Sequence, residues 1–302
     1  MQEKHAYLII AHKVDYTLMK LLELIDDERN DIFVHMDKKN KTFVSSDLTC
    51  AVQHSRIFYP DSRISVTWGG LSLLKCELGL FELATGKGRY SYYHLISGED
   101  LPIKSQDYIH CFFDKNKGKE FIGFDSEEFS WAGRIQRYHF FSDIIGRKRG
   151  AVYDILRKID TLSLKCQNLL NTKRYPDMQF QKGCNWVSVT DEFARALVSQ
   201  KRNLEKMYRF TFVSDEVYKQ TFVINNGFRQ SLYIQRFGDN QEAMMRKIDW
   251  ERGNPYVWRK GDVEELMNSE LLFARKFDSK IDKTIIDEIV SIVCKSNSAR
   301  SV

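Results

Sequence analysis

The stretch AYLIIAHKVDYTLMKLLELIDDERNDIFVHMD, residues 6–37, decides the fold of this chain. It contains two short apolar runs, residues 6–12 and 31–37, and between them a segment with leucine and isoleucine at helical spacing. This order predicts a strand, a helix and a second strand parallel to the first. Ligands of open α/β sheets bind beyond the carboxyl ends of such strands, so His12 and Asp37 are candidate ligand-binding residues. An aspartate at this position is also typical of a turn or a helix cap.

The same alternation continues over the first hundred residues. Apolar runs at residues 62–68 and 90–97 predict a third and a fourth strand, and residues 71–84 have helical spacing. Residues 115–175 are irregular and basic, and strand and helix patterns return from about residue 183. Alternating strands and helices predict an α/β fold whose first half is of the nucleotide-binding type.

The composition is that of a globular protein with a large core, since 43% of the 302 residues are hydrophobic and 29% are charged. The formal net charge is only +5, and the basic residues are dispersed apart from one stretch, which argues against a nucleic-acid partner. The apolar run from Ala6 to Ala11 is too short for a signal peptide, and no run approaches the roughly 20 apolar residues that cross a bilayer. We therefore expect a cytoplasmic chain, bound at most to the surface of the cytoplasmic membrane.

The sequence lacks the motifs of many metal and cofactor enzymes. The six cysteines are scattered without a CxxC pair, which argues against a zinc site and a disulfide framework. No Asp-x-Asp pair for Mg²⁺ or Mn²⁺ occurs in the chain. GxGxxG, GxxxxGK[ST], HExxH and GxSxG are also absent, which weakens dehydrogenase, P-loop, zincin and serine-hydrolase interpretations. We expect neither a metal nor a cofactor.

Two further groups of charged residues are candidates for chemistry. Ser214, Asp215 and Glu216 form a polar step between two apolar segments. Such a step routinely begins a helix, but a carboxylate in a first helical turn can also face a cleft. Arg252 and Lys276 are cations of the kind that neutralise a departing diphosphate, and ordinary surface charge is the alternative.

Six segments in chain order carry a resemblance to a known family: AYLIIAHK, FVHMDKK, VTWGGLSLL, YYHLISGEDLPIKS, FVSDE and LFARKFD. They resemble the core-2/I-branching glycosyltransferases, the family (glycosyltransferase family 14) that also holds the protein xylosyltransferases. The resemblance runs from about residue 6 to residue 282, and the middle of the chain matches least. It implies an α/β, GT-A-type glycosyltransferase fold with a Rossmann-like nucleotide-binding half, a UDP-sugar donor, and inversion at the anomeric carbon without a divalent metal.

The resemblance also implies roles for individual residues. Glu216 falls on the Glu of the family's SxDE motif, which is the catalytic base. The expected nucleotide-binding residues are Ile10 and His12 for the uridine, Asp37 of the VHxD motif, Lys276 of the LFAxKFD motif for the diphosphate, and Arg252 as the diphosphate arginine, with Arg259 as the alternative. The expected acceptor-binding residues are Glu99, Asp100, Arg134, Arg137, Tyr138, Trp186 and Trp250.

The expected reaction moves a sugar, with N-acetylglucosamine as the first candidate, from a UDP-sugar to a glycan or lipid-linked acceptor in surface polysaccharide synthesis. Xylose, galactose and galactofuranose are alternative donor sugars, because the shape of the sugar pocket sets that choice. A glycan-binding module without turnover is the alternative from another class. We expect a bacterial member, because the animal enzymes' luminal anchor, stem and cysteine pattern are not found in this sequence.

We predict one GT-A-like domain, residues 1–302, in four parts. In chain order these are a nucleotide-binding half (1–114), a variable basic insert (115–175), an acceptor and catalytic half (176–282) and a C-terminal tail (283–302). The basic stretch of the chain is residues 146–176. It holds eight Lys or Arg against two Asp, with apolar residues interleaved. This composition predicts a helix on an anionic membrane surface or, alternatively, a solvated linker helix.

Overall fold

The computed structural model describes residues 3–298, the last three of them as backbone only. The strands are β1 (His5–Ala11), β2 (Asn30–Met36), β3 (Arg56–Phe58), β4 (Tyr92–Ser97), β5 (Asp100–Pro102), β6 (Val187–Thr190), β7 (Arg246–Ile248) and β8 (Phe273–Arg275). The α-helices are α1 (Tyr16–Ile25), α2 (Ser46–Thr49), α3 (Leu71–Lys87), α4 (Gln106–Lys115), α5 (Ala132–Ile135), α6 (Ser142–Ile145), α7 (Ala151–Leu169), α8 (Asp191–Ser199), α9 (Lys201–Met207), α10 (Tyr218–Asn225), α11 (Asn240–Met244), α12 (Val263–Asn268) and α13 (Lys283–Ser298).

A five-stranded sheet in the order β3-β2-β1-β4-β6 forms the centre of the molecule. β1 pairs in parallel with β2 and with β4, and β2 pairs in parallel with β3. β6 runs antiparallel to β4 at the edge of the sheet. The result is a mixed α/β architecture built on a parallel sheet, with helices on its faces.

Both faces of the sheet are covered by helices. Alternation along β1 sends Tyr7 and Ile9 into the core that contains the apolar sides of α1 and α13, and Ala6 and Leu8 into the core that contains α3 and α8. This two-sided burial explains why β1 is a continuous apolar run rather than an alternating one. Asp15 caps the start of the helix α1, because its carboxylate accepts from the Leu18 amide at 3.0 Å.

A smaller sheet in the order β5-β8-β7 lies next to the end of β4. β5 begins three residues after β4 ends and pairs antiparallel with β8, so that Asp100 lies opposite Arg275. This pairing brings a segment from the end of the chain to the turn that follows β4.

The prediction of a strand at residues 62–68 is wrong. The backbone amides of this segment donate to side chains of β2 and of the turn after β2: Ile64 to His35 Nε2 at 2.8 Å, and Val66 to Asp37 Oδ1 at 3.4 Å. The place beside β2 is taken instead by the short strand β3.

The predicted tail from residue 283 also needs correction, because residues 283–298 form the helix α13. Isoleucine and valine recur at helical spacing, and Ile285, Ile286, Ile289 and Val293 are buried in the core beside α1. Residues 299–302 lie outside the described part of the chain. Within residues 3–298, none of the helices combines the length and the apolar character needed to cross a bilayer.

Candidate active site

The carboxyl ends of β1, β2 and β4 lie side by side because these strands are parallel and in register. The turns that follow them are joined by backbone hydrogen bonds. The Asp37 amide donates to the Ala11 carbonyl at 2.8 Å, and the Gly98 amide donates to the Ile10 carbonyl at 3.0 Å. The structure therefore brings Ile10, His12 and Asp37 to one edge of the sheet, with the His12 side chain exposed.

The buried Asp37 carboxylate organises this edge. Its Oδ1 accepts from the amides of Lys39 at 2.8 Å and Val66 at 3.4 Å, and the Lys39 ammonium lies 3.4 Å from Oδ2. Asp37 thus has the turn-forming role that is typical of an aspartate after a strand. Its contact with a nucleotide stays a prediction.

The turn after β4 is built around Asp100, which is 2% exposed. The amide and the hydroxyl of Ser97 donate to its two carboxylate oxygens, both at 2.8 Å. Arg275 donates to the same carboxylate at 2.7 Å and also bonds to the Ser97 hydroxyl. Asp100 therefore holds Arg275 in place, and little of its carboxylate is left for another ligand.

The neighbouring Glu99 is surrounded by cations. Its carboxylate lies 3.1 Å from Lys276 Nζ, 3.7 Å from Lys13 Nζ and 3.9 Å from the Arg275 guanidinium. Lys276 reaches this position because β8, which ends at Arg275, pairs with β5. An ammonium group has three donors, so Lys276 can hold Glu99 and still bind an anion at this edge.

The segment before β6 reaches the same edge of the sheet. Because β6 is antiparallel to β4, with Val187 opposite Leu95, the residues that precede Val187 lie beyond the carboxyl end of β4. The Arg275 guanidinium lies 4.7 Å from the centre of the Trp186 ring. Trp186 therefore joins the cluster of Glu99 and Asp100, and the acceptor-binding role of these three residues stays a prediction.

Residues 214–216 form one turn of 3-10 helix directly before α10. Val213, which precedes them, has a left-handed φ of 57°, a conformation that costs a β-branched residue about 1–3 kcal/mol. The Glu216 carbonyl accepts from the Gly183 amide at 3.0 Å. A Cβ on Gly183 would lie 1.9 Å from the Gly123 carbonyl oxygen, so this close approach requires glycine.

Asp215 and Glu216 are adjacent in sequence but have different surroundings. Asp215 is 8% exposed, and within the described residues its Oδ1 has no hydrogen-bond partner. Burial, together with the charges of Glu77 and Glu216, raises the pKa of Asp215 to about 7. The nearby ion pair between Lys219 and Glu77, at 2.6 Å, is fully buried, and Lys219 also donates to the Asp215 carbonyl at 3.1 Å. Asp215 thus belongs to the buried support of the turn.

Glu216 faces the opposite way. Its side chain is 35% exposed and lines a cavity of about 510 Å³. The Lys182 ammonium lies 3.7 Å from Oε2 and also binds Asp125. Burial raises the pKa of Glu216, and the charge of Lys182 opposes this rise. A carboxylate of raised pKa that is open to a cavity is suited to accept a proton.

Aromatic and polar groups complete this cavity. Trp250 lines it and is 55% exposed. Lys182, which lines the cavity, also contacts the Trp131 ring. Its Nζ lies 4.3 Å from the centre of that ring, and the Arg134 guanidinium lies 4.0 Å from it. Arg134 is near enough to Glu216 for its charge to lower the pKa of that carboxyl. The remaining polar lining includes Asp239, Asn240 and Gln241. Exposed rings with amides and carboxylates suit a sugar, which offers apolar faces and hydroxyl groups.

Arg252, the predicted diphosphate arginine, is held by carboxylates. Its guanidinium bonds to Asp249, lies 2.7 Å from Asp262 and lies 3.2 Å from Glu265. The hydrogen bonds that Arg252 donates to Asp249 and Asp262 raise its pKa further. Arg259, the alternative, is exposed and has no ion-pair partner among the residues that the structure describes. The assignment of either arginine to a diphosphate stays a prediction.

Arg137 and Tyr138 contact the end of α7 and do not line the cavity of Glu216. The Arg137 guanidinium donates to the side chain of Asn168 at 3.0 Å. The Gln167 side chain accepts from the Tyr138 amide at 2.7 Å and donates to the Tyr138 carbonyl at 3.0 Å. These contacts hold the end of α7 against an earlier segment of the predicted basic insert.

The residues of the site that were not predicted from the sequence include Asp125, Lys182 and Arg275. Arg275 lies inside the LFARKFD segment and could have been found there. The pairing of Asp125 with Lys182 joins residues 57 positions apart and leaves no local pattern. Within residues 3–298, no three His, Cys, Asp or Glu side chains are arranged so that they could hold a metal ion. Metal independence stays a prediction.

The fold and the site define a class of protein: a mixed α/β protein with a cluster of charged side chains at the carboxyl ends of its parallel strands and a polar cavity lined by a partly exposed carboxylate beside a lysine. Comparison with known proteins then gives the family. The model of the family described as Core-2/I-Branching enzyme matches residues 5–271, and the chain belongs to this family. The family predicted from the sequence is thereby confirmed, and the architecture is consistent with the GT-A-like glycosyltransferase fold.

The chain is similar to animal xylosyltransferases. Xylosyltransferase 2 of Rattus norvegicus is 20% identical over 307 aligned positions, which cover 93% of this chain and 33% of that protein. Xylosyltransferase oxt of Drosophila pseudoobscura pseudoobscura is 22% identical, over 88% of this chain and 30% of that protein. Xylosyltransferase sqv-6 of Caenorhabditis briggsae is 21% identical, over 84% of this chain and 32% of that protein. The chain spans about a third of the length of these curated relatives.

Proposed function

We propose that this chain transfers a sugar from a UDP-sugar to a hydroxyl group of a glycan, with inversion and with Glu216 as the base. The observation that carries the proposal is the position of Glu216. Its carboxylate opens into a cavity of about 510 Å³, while the segment 182–186 connects its turn to the strand ends where Lys276 and Glu99 lie. A group transfer requires that the donor and the acceptor are bound next to each other.

In the proposed reaction, a Glu216 oxygen removes the proton from the acceptor hydroxyl while the oxygen of that hydroxyl attacks the anomeric carbon. The bond from the anomeric carbon to the UDP oxygen breaks on the opposite face, and UDP leaves with the electron pair. Proton removal by a positioned carboxylate typically contributes about a hundred- to ten-thousand-fold in rate. No covalent intermediate is needed, so the mechanism requires no further nucleophile.

In this mechanism, cations of the protein stabilise the negative charge of the departing diphosphate. Lys276, whose side chain is 29% exposed and whose ammonium lies 3.1 Å from Glu99, is the proposed principal cation. The uridine is proposed to bind in the Rossmann-like half, at the strand ends of Ile10, His12 and Asp37. No divalent metal enters the mechanism, and this is a proposal that chelation tests.

For the donor sugar, the names of the relatives favour xylose, which now stands beside N-acetylglucosamine as a candidate. Galactose and galactofuranose remain alternatives, because contacts in the sugar pocket decide which of several similar sugars an enzyme accepts. The acceptor is proposed to be a surface polysaccharide or a lipid-linked glycan. Trp250 and Arg134, at the cavity of Glu216, are the proposed acceptor contacts. The cytoplasmic location expected from the sequence stays a prediction.

The proposal is tested by measuring UDP release from UDP-N-acetylglucosamine, UDP-xylose, UDP-galactose and UDP-galactofuranose, with and without an oligosaccharide acceptor. We expect release from one donor above the rate of the Glu216→Gln variant, and persistence of this release in excess EDTA. Loss on chelation that Mn²⁺ or Mg²⁺ restores would contradict the metal-free mechanism. Glycan binding without UDP release from any donor would instead indicate a binding module.

A further inference from the structure

Helix α7 (Ala151–Leu169) has an apolar side that no other described part of the chain covers. Val152, Ile155, Ile159, Leu162 and Leu169 are between 47% and 87% exposed. Single exposed apolar side chains are normal on a protein surface. A row of them on one helix is not, and such patches mark surfaces that bind something else.

The exposed residues form one continuous stripe. They are spaced by three and four residues in turn, with the exposed Cys166 filling the remaining position, so they fall within an arc of about 100°. The other side of the helix packs on the segment that precedes it in the chain, where Gln167 is buried against Tyr138. Over the 19 residues of α7 the stripe is about 28 Å long.

Unpaired positive charge borders this stripe. Lys158 and Lys165 lie next to it on the helix surface, and in the described part of the chain neither has an ion-pair partner. The two aspartates of the helix are already engaged within the chain: Asp154 lies 2.7 Å from an arginine and Asp160 lies 3.2 Å from a histidine ring. The surface therefore combines an apolar stripe with a net positive margin.

We propose that this side of α7 lies on the surface of an anionic membrane. The stripe would enter the boundary between head groups and acyl chains, and the lysine stems would carry their ammonium groups out to acidic head groups. A second copy of the chain is a poorer occupant, because packing two stripes together brings Lys158 and Lys165 against lysines of the other copy. The purpose of this contact, access to a lipid-linked acceptor, rests on the proposed function, whereas the binding itself does not.

The test is sedimentation of the full chain with vesicles of phosphatidylcholine alone or with about a third phosphatidylglycerol. We expect binding to the anionic vesicles at low salt and its loss at roughly 0.5 M salt. The double variant Ile155→Gln, Leu162→Gln keeps good helix formers and should weaken binding at least about tenfold. Replacing Lys158 and Lys165 by Gln should weaken it about fivefold for each lysine. Thr161→Gln, on the polar side of α7, should change nothing.

Indifference of the wild-type chain to anionic vesicles at low salt would overturn the inference, as would unchanged binding by the Ile155→Gln, Leu162→Gln variant. A wild-type dimer in sedimentation equilibrium that this variant abolishes, without vesicle binding, would identify a second copy as the occupant. UDP release with a water-soluble acceptor should be equal in all these variants. Absence of vesicle binding by the wild-type chain, with normal UDP release, therefore sinks this inference alone, and vesicle binding without UDP release sinks only the proposed function.

Discussion

Replacing Glu216 by Gln preserves the shape of the side chain and removes its ability to take up a proton. The structure indicates that the fold tolerates this change. The side chain is 35% exposed, and its ion contact is 3.7 Å from Lys182, which keeps Asp125 as a partner. Ion pairs of such exposure contribute about 0–1 kcal/mol, so the free energy of unfolding should change by no more than this.

The expected effect on turnover is much larger. If proton removal is the function of Glu216, kcat should fall by about two to four powers of ten, which corresponds to about 3–5 kcal/mol in the activation free energy. UDP affinity should change little, because the proposed diphosphate cation Lys276 pairs with Glu99 and not with Glu216. The loss should therefore appear in kcat and leave donor binding intact.

The assay is the initial rate of UDP release with saturating donor and acceptor, beside UDP binding by calorimetry. Asp215→Asn is the matched control, since Asp215 is the adjacent carboxyl and is buried away from the cavity. Lys276→Ala is the second comparison, and it should weaken UDP binding as well as turnover. A Glu216→Gln chain that keeps more than about a tenth of the wild-type kcat would refute the assignment of the base.

Three further predictions follow from charges near Glu216. Lys182→Met removes a charge that lowers the pKa of Glu216, so the acid limb of the pH profile of kcat should move to higher pH. An acid limb that does not move would contradict the pairing of Lys182 with Glu216. Burial raises the pKa of Asp215 from 3.8 to about 7, so between these values the folded chain holds a proton that the unfolded chain releases, and stability falls as pH rises through this window by at most about 1.4 kcal/mol per pH unit. The melting temperature of Asp215→Asn relative to wild type should therefore increase from pH 4 to pH 7, and a constant difference would show that Asp215 is ionised throughout. Lys219→Met leaves Glu77 as a buried unpaired charge and should cost about 3–5 kcal/mol in urea unfolding, whereas a loss below about 1 kcal/mol would mean that water reaches the pair.

The sequence predicts the centre of the fold because local patterns determine it. The strands β1, β2 and β4 and the helices α1 and α3 are apolar runs or helical repeats that need no distant partner to be recognised. The strand predicted at residues 62–68 fails for a non-local reason. Its amides bind the side chains of His35 and Asp37, and an apolar run alone does not show which acceptor its backbone will use.

The same limit applies to the site. Glu216 could be proposed from the sequence because the step it belongs to is continuous and resembles a family motif, and its role as the base stays a prediction. The capture of Arg252 by Asp249, Asp262 and Glu265 could not be predicted, because the three carboxylates come from separate segments, with Glu265 on α12, that share no periodic signal. Charge composition shows that cations are present, but only the folded chain shows which of them are already paired.

The different roles of Asp215 and Glu216 arise from the backbone that carries them. In a 3-10 helix successive residues are rotated by about 120°, so two adjacent carboxylates in one turn cannot face the same side. One of them enters the core beside the Lys219 and Glu77 pair, and the other opens into the cavity. The turn is fixed by the left-handed backbone before it and by the bond from the Gly183 amide to the Glu216 carbonyl, not by hydrogen bonds to the Glu216 carboxylate. Positioning through the backbone leaves that carboxylate available to take a proton, which is the property that a catalytic base needs.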